Sequence, residues 1–329
     1  MDKGHDSSWS YGHVLELEKL DTDLYRTADV GALWHPPGSK GVYGGQVVGQ
    51  AVVAAHMTLD DDDDASASSR SGACGGSGGH ELHSMHAYFL KPGNASVPLL
   101  FKIRRLLDGR SFRSRAVTVI QDGVPIAQLQ ASFHVPEDSP LQYQKEMPPA
   151  PSPDEQPSVG DLLGAAAADE RVPERMRKFL KSAVLQPFPL EVREVGGNLD
   201  EALAPLMDPP QTIAPRKARQ LMWMRARGEI GDSPHIHRCI AAWLSDWGLT
   251  TTPLVAAGLK LYSPQLAMIA SLDHAMWFHN PFRADEWMLY EMESDFAGSG
   301  RGVTAGRIYD SAGELKISVV QEGVIRIRK

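Results

Sequence analysis

Residues 271–282 read SLDHAMWFHNPF, and residues 83–93 read HSMHAYFLKPG. Both stretches contain histidines and an aromatic pair, and both then reach a proline. Phe89 corresponds to Phe278 in this alignment, and the prolines that follow them correspond at the same offset. The two stretches therefore indicate an internal repeat, with one copy in each half of the chain.

An apolar helix precedes each of the two stretches. The first helix, VYGGQVVGQAVVAAHM, covers residues 42–57, and the second, IHRCIAAWLSDWG, covers residues 236–248. Three glycines inside the first helix would let another backbone come close. A phosphate-binding loop is the alternative, but the stretch lacks Gly-Lys-Ser/Thr and a strand–loop–helix context. Helix packing is therefore the preferred interpretation of these glycines.

Strands follow each helix. Apolar and polar residues alternate from Ala127 to Val135, which predicts a half-buried strand. Asp122 and Gly123 before it predict a hairpin turn, and Gly313 takes the corresponding place in the second half. A helix followed by antiparallel strands, present twice, predicts an α+β fold.

Composition limits the class of protein. The chain has 329 residues and a formal net charge of −8, so no nucleic-acid partner is expected, since nucleic-acid binding needs a clustered basic face. Two cysteines, Cys74 and Cys239, provide no disulfide framework and fit a reducing intracellular compartment. No stretch approaches the length of a membrane span. The chain ends IRIRK rather than in a Ser-Lys-Leu type of tripeptide, so cytoplasm and peroxisome both stay open.

The predicted organisation has three parts. Residues 10–136 form an N-terminal repeat, 137–190 form a Pro-rich linker with a helical stretch, and 191–329 form a C-terminal repeat. Within the first repeat, the acidic and Gly/Ser-rich residues 60–80 are expected to be a flexible insertion. They contain a G-x-S-x-G match at Gly75–Gly79, which lacks the strand and helix that a nucleophile elbow needs.

The cluster of Ser271, Asp273 and His274 suggests a hydrolytic triad at first sight. On one strand, however, the first two side chains point to one face and His274 points to the other. Such neighbours cannot form the chain from nucleophile to base to orienting carboxylate. A contiguous triad is therefore rejected.

The last strand carries an unusual amide. Leu315, Ile317 and Val319 share one face, and Gln321 continues it. A buried amide needs hydrogen-bond partners, because leaving it without one costs about 1–3 kcal/mol in proteins. Gln321 is therefore a candidate site residue.

Asp246 lies between Trp243 and Trp247, an odd neighbourhood for a carboxylate. One interpretation is a solvent-facing aspartate at a helix end, with Gly248 ending the helix. The other is a perturbed carboxylate in a functional site. Spacing alone leaves both open.

Seven segments, in the order that follows, resemble the acyl-CoA thioesterase II (TesB-type) family: GVYGGQVVGQAV, LHSMHAYFLKPG, LDGRSFRSRAV, WLSDWG, SLDHAMWFHNPF, DEWMLYEMES and VVQEGVIR. The resemblance covers residues 10–329, apart from 60–80 and parts of the linker. It implies a double hot-dog fold, in which each tandem repeat wraps a curved antiparallel sheet around a long central helix. It also implies an enzyme that hydrolyses fatty acyl-CoA to free fatty acid and coenzyme A.

The family's catalytic aspartate, hydroxyl residue and glutamine fall on Asp246, Ser271 and Gln321. The resemblance thus implies water attack on the thioester, with Asp246 as general base and the other two holding the water. It implies no cofactor, and it places the catalytic residues in the C-terminal repeat. The enzyme is expected to be a homo-oligomer, a dimer or higher.

Two other functions are weighed against the thioesterase. A hot-dog hydratase or dehydratase typically pairs an acid with a histidine at the helix start, and Asp246 has no such histidine beside it. A non-catalytic acyl-CoA-binding protein would be expected to have a broken polar trio. A metal site at His235-x-His237 lacks a third ligand with plausible spacing.

The first repeat is predicted to have no active site of its own. In the alignment, Leu82 stands opposite Ser271, and Ala131 stands opposite Gln321. Gln50 or a nearby residue stands where Asp246 stands, and an amide is no base. We therefore expect one active site per chain.

Overall fold

The computed structural model of the protein describes residues 11–64, 79–186, 188–228 and 230–328. Its contacts divide the chain into two compact units, each made of three segments. The first unit comprises Met1–Gln144, Gly228–Asp246 and Asp273–Asp285, and the second comprises Lys145–Arg227, Trp247–Leu272 and Glu286–Lys329. This division by contacts groups segments from both halves of the sequence, and the limits of the two repeats, 10–136 and 191–329, stay a prediction.

The described residues contain six α-helices and thirteen strands. The helices are α1 Tyr11–Leu15, α2 Gly44–Asp64, α3 Val159–Ala168, α4 Glu174–Leu185, α5 Leu199–Leu203 and α6 Pro234–Leu244. The strands are β1 Leu17–Asp21, β2 Leu24–Thr27, β3 Glu81–Phe89, β4 Leu100–Asp108, β5 Phe112–Gln121, β6 Val124–His134, β7 Leu190–Glu194, β8 Arg219–Ala226, β9 Leu266–Ser271, β10 Asp273–Phe278, β11 Met288–Gly298, β12 Arg301–Asp310 and β13 Leu315–Ile327.

The first unit is built on an antiparallel sheet with the strand order β1-β2-β4-β5-β6-β3-β10. The predicted hairpin between β5 and β6 is confirmed, because Asp122 and Gly123 have φ values of 48° and 75°. Positive φ at both central residues is what a two-residue type I′ turn requires. The apolar residues of β6 face the core, where Leu129 and Phe133 are buried.

Helices α2 and α6 pack against each other within the first unit. A Cβ on Gly45 would stand 2.2 Å from the carbonyl oxygen of Trp243, and one on Gly49 would stand 3.1 Å from that of Cys239. Real side chains do not tolerate the first of these distances, so the glycines set how closely the helices approach. The interpretation of these glycines as packing residues is confirmed.

Helix α2 is longer than the sequence suggests. It continues through the five aspartates at 60–64, where the sequence predicts the start of a flexible insertion. A helix already formed extends by one hydrogen bond for each residue added, and the flexibility expected for residues 60–80 stays a prediction. Residues 65–78, which include most of the G-x-S-x-G match, lie outside the described residues.

The second unit is built on an antiparallel sheet with the strand order β7-β8-β11-β12-β13, and β9 also pairs with β13. The 3-10 helix Leu249–Ala257 packs against this sheet. Its first carbonyl, on Leu249, accepts a hydrogen bond of 3.0 Å from the Thr304 hydroxyl of β12. This contact fixes the start of the 3-10 helix on the sheet.

Part of the predicted linker is bound to the second unit's sheet. The carbonyl of Pro151 accepts a hydrogen bond from the indole of Trp223 at 2.8 Å, and that of Pro153 accepts one from Arg193 at 2.8 Å. The predicted helical stretch consists of two helices, α3 and α4, which share a small apolar core with α5. Residues 151–153 are therefore hydrogen-bonded to side chains of β7 and β8, and the limits of the linker stay a prediction.

The segment that contains Ser271, Asp273 and His274 was predicted to be one continuous strand, and the structure differs. It forms two strands, β9 and β10, which are separated by Leu272. Strand β9 pairs with β13 in the second unit, whereas β10 pairs with β3 in the first. Since neither proline nor glycine stands at the break, the sequence carries no signal for it.

Candidate active site

Ser271 and Gln321 lie together in the second unit. Ser271 ends β9, and Gln321 lies on the neighbouring strand β13, where Gly323 is the register partner of Ser271. The Gln321 Nε2 donates a hydrogen bond of 2.5 Å to the Ser271 Oγ. Gln321 is only 1% exposed, so the prediction of a buried amide with a hydrogen-bond partner is confirmed.

The backbone around this pair is tightly packed. A Cβ on Gly323 would stand 2.8 Å from the Thr250 Cγ2 and 3.2 Å from the Ala270 carbonyl. The Leu272 N–H donates to the Glu322 carbonyl at 2.9 Å, which ties the end of β9 to β13. These contacts hold the hydroxyl and the amide in one geometry, as a site needs from its supporting residues.

Asp246 lies in the first unit, two residues after the end of α6. It is 8% exposed, and its Oδ2 accepts a hydrogen bond of 2.9 Å from the backbone N–H of Gly45. The interpretation of Asp246 as a solvent-facing aspartate is therefore wrong. Gly248 has φ of 92° and precedes the 3-10 helix that starts at Leu249. The carboxylate thus meets the N-terminal end of α2, where unsatisfied N–H groups stabilise negative charge.

His274 holds the residue that precedes Asp246. It is 1% exposed on β10, and its Nε2 lies 2.8 Å from the Oγ of Ser245. The Ser245 hydroxyl is also 3.2 Å from the Ala242 carbonyl, within the last turn of α6. This hydrogen-bonded role of His274 is structural and agrees with the rejection of a contiguous triad.

The corresponding positions of the first repeat have structural roles. The Gln50 side chain is fully buried; its Oε1 accepts from Thr27, and its Nε2 donates to the Val14 carbonyl at 2.8 Å. Leu82 and Ala131 are buried apolar residues of β3 and β6. A buried amide and two buried apolar side chains therefore occupy these positions, and the absence of an active site from the first repeat stays a prediction.

The other histidines are engaged in packing and hydrogen bonds. The His237 Nδ1 accepts from the Ala284 N–H at 3.1 Å, and its Nε2 lies 3.1 Å from the Gly231 carbonyl, which fixes the neutral ring. Burial lowers the pKa of His237. The rings of His56 and His235 are 3.7 Å apart, and burial lowers the pKa of His56 to about 3. Within the described ranges, no group of three or more His, Cys, Asp or Glu side chains could hold a metal ion.

Comparison with known proteins identifies the class. Residues 32–134 match the family model of the acyl-CoA thioesterase N-terminal domain, and residues 146–325 match that of the C-terminal domain. An acyl-CoA thioesterase II TesB2 structure from Mycobacterium marinum is 31% identical, with a TM-score of 0.68, over 97% of this chain and 98% of that one. A hot-dog protein from Alicyclobacillus acidocaldarius, 16% identical with a TM-score of 0.65, covers 96% of this chain and 97% of its own. The fold is thus the predicted α+β double hot-dog.

Two curated relatives cover nearly the whole chain. Acyl-coenzyme A thioesterase 8 of Mus musculus is 37% identical over 316 residues, which is 96% of this chain and 88% of the relative. Acyl-CoA thioesterase 2 of Haemophilus influenzae is 30% identical over 314 residues, which is 95% of this chain and 96% of the relative. The chain belongs to the acyl-CoA thioesterase family and is a thioester hydrolase. Among the described residues, no helix has the length and apolar character that crossing a membrane demands.

Proposed function

We propose that the enzyme hydrolyses fatty acyl-CoA by direct attack of water, with Asp246, Ser271 and Gln321 acting on that one water. The hydrogen bond of 2.5 Å between Gln321 and Ser271 carries the proposal, because it couples a buried amide to a hydroxyl. Of the three predicted catalytic residues, Ser271 and Gln321 lie in the second unit and Asp246 lies in the first. That the three act as one site is part of the proposal.

The chemistry assigns one task to each side chain. The water donates one hydrogen to the Asp246 carboxylate and the other to the Gln321 Oε1, and it accepts a hydrogen bond from the Ser271 hydroxyl. Its remaining lone pair attacks the thioester carbonyl as Asp246 takes the proton. The C–O bond forms, the C–S bond breaks, and coenzyme A leaves as a thiolate that recovers the proton. No covalent acyl-enzyme is required, and no step uses a metal or cofactor.

The surroundings of Asp246 suit a general base. Its carboxylate accepts from a backbone N–H, which favours the ionised form that must receive a proton. It is also largely buried, and electrostatic interactions are stronger where water is excluded. Hydrolysis, the reaction of the family to which the chain belongs, needs such an ionised carboxylate to take a proton from water.

Substitutions at the coupled pair should separate hydroxyl from amide. Ser271→Ala and Gln321→Ala should each lower kcat about 10²-fold, because a misplaced water costs about that much. Ser271→Thr should retain activity, since it keeps the hydroxyl on a strand that accepts β-branching. Release of free thiol from a fatty acyl-CoA measures each rate. Gln130→Ala, at an exposed amide of β6, is the matched control and should keep the parent rate. Full activity in both alanine variants would refute the roles assigned to the pair.

We also propose that the enzyme is intracellular, in the cytoplasm or the peroxisome, and assembles as a dimer or higher homo-oligomer. Within the described residues, Cys239 is a buried thiol that forms no disulfide, which fits a reducing compartment. Tyr88 and Phe112 of the first unit are 63% and 44% exposed, and exposed aromatic side chains are common in interfaces. Light scattering during size-exclusion chromatography should give at least twice the mass of one chain, and a monomer's mass would overturn this assignment.

A further inference from the structure

The first two residues of α2, Gly44 and Gly45, lie against the Asp246 carboxylate. Gly45 donates its backbone N–H to the Asp246 Oδ2 at 2.9 Å. A Cβ on Gly44 would stand 2.8 Å from the same oxygen and 3.1 Å from the Cζ of Phe89. One glycine therefore supplies the hydrogen bond, and the other leaves the room for it.

Two physical features of helix α2 attract a carboxylate to its N-terminal end. It is 21 residues long, and its first N–H groups have no partner within the helix. The aligned peptide dipoles add partial positive charge at this end. Negative charge placed at this end is therefore stabilised, and more strongly where the geometry is partly buried. Asp246, which is 8% exposed, is buried in this way.

The chain next to Asp246 is fixed on its other side as well. Ser245 lies 2.8 Å from His274, and the Ser245 N–H donates to the Ala241 carbonyl at 2.9 Å. The segment after α6 therefore reaches the carboxylate with little freedom. The Gly45 N–H then fixes the orientation of the carboxylate plane.

We propose that Gly44 and Gly45 are positioning residues for catalysis. Through them the first repeat orients the general base Asp246, which the second repeat supplies, and stabilises its negative charge. The inference rests on the proposed function of Asp246. It assigns the N-terminal half a role in the reaction. A purely structural contact, in which Asp246 serves only to cap α2, is the alternative that the test must separate.

Gly44→Ala in the full-length enzyme tests the proposal. The backbone at Gly44 is not in the left-handed region, so alanine fits the chain. The atom it meets is the end of an aspartate side chain, which moves more easily than a helix. We expect kcat to fall about 10²-fold, as for a misplaced catalytic group, with KM nearly unchanged. The acidic limb of the kcat/KM profile should move to higher pH, because a carboxylate that loses its N–H donor is more easily protonated.

Two further variants make the result decisive. Gly44→Ala/Phe89→Leu removes the ring contact and should stay impaired, because the contact with the carboxylate remains. Gly164→Ala lies in α3, where a Cβ meets nothing within 4 Å, and should have the parent kcat and pH profile. If the double variant had the parent kcat, the positioning role would be overturned. The same holds if Gly44→Ala lowered the melting temperature without changing kcat.

The outcome is distinguishable from a failure of the proposed mechanism. If Asp246→Asn is inactive and Gly44→Ala keeps both kcat and pH profile, the positioning role is wrong and Asp246 keeps its role as base. If Asp246→Asn keeps the parent rate, the base assignment itself fails, and the positioning role fails with it.

Discussion

Asp246→Asn should lower kcat for acyl-CoA hydrolysis by about 10²–10⁴-fold, the usual contribution of a general base. Asparagine has nearly the shape of aspartate, and its side-chain oxygen can still accept the N–H of Gly45. The fold should therefore survive, whereas the group that takes the proton from water is lost. This is the largest effect that we expect from any single substitution.

The measurement is the rate of thiol release at saturating acyl-CoA, together with the melting temperature. Asp138→Asn, at an exposed position after β6, is the matched control and should keep the parent kcat. Its stability should change by no more than about 0.5 kcal/mol, as for most surface substitutions. Hydrolysis by Asp246→Asn at the parent rate would remove Asp246 from the mechanism.

Gly45→Ala should be the most destabilising of the substitutions considered. Its Cβ would stand 2.2 Å from the Trp243 carbonyl oxygen and 2.5 Å from the Tyr43 ring. The carbonyl is backbone, so it cannot rotate away, and α6 itself must move. We expect a loss of about 3 kcal/mol in the free energy of unfolding, at the upper end of overpacking effects.

Urea denaturation of Gly45→Ala, followed by fluorescence, measures this loss as a lower transition midpoint. Gly164→Ala, the control in an uncrowded helical position, should instead be neutral or gain up to about 1 kcal/mol from reduced freedom of the unfolded chain. An unchanged midpoint for Gly45→Ala would show that α2 and α6 are not packed as closely as the distances indicate.

The sequence was informative wherever structure is local. The order of helix and strands, the hairpin at Asp122 and Gly123, and the burial of Gln321 follow from alternation, turn chemistry and polar satisfaction. Four strands were not predicted, β1, β2, β7 and β8. β1, β2 and β7 have only four or five residues, and β8 lacks strict alternation, so their pairing depends on neighbouring strands that are remote in sequence.

The candidate site shows where local rules end. Spacing left Asp246 with two interpretations, because the contact that decides between them is with Gly45, 201 residues away. The glycines were recognised as packing residues, but nothing near them in sequence points to a carboxylate. Likewise, Ser271 and Gln321 were matched through resemblance, whereas their hydrogen bond depends on the pairing of β9 with β13. Contacts between residues so far apart in sequence cannot be predicted from the periodicity of apolar residues.

The double variant Asp246→Asn/Gln321→Ala tests most directly whether the three side chains act on one water. Residues that act as a unit show strongly non-additive losses. We therefore predict that kcat of the double variant lies within about tenfold of that of Asp246→Asn alone, because the water that Gln321 holds has already lost its base. A loss equal to the product of the two single losses would show that Asp246 and Gln321 contribute independently, and it would contradict the account.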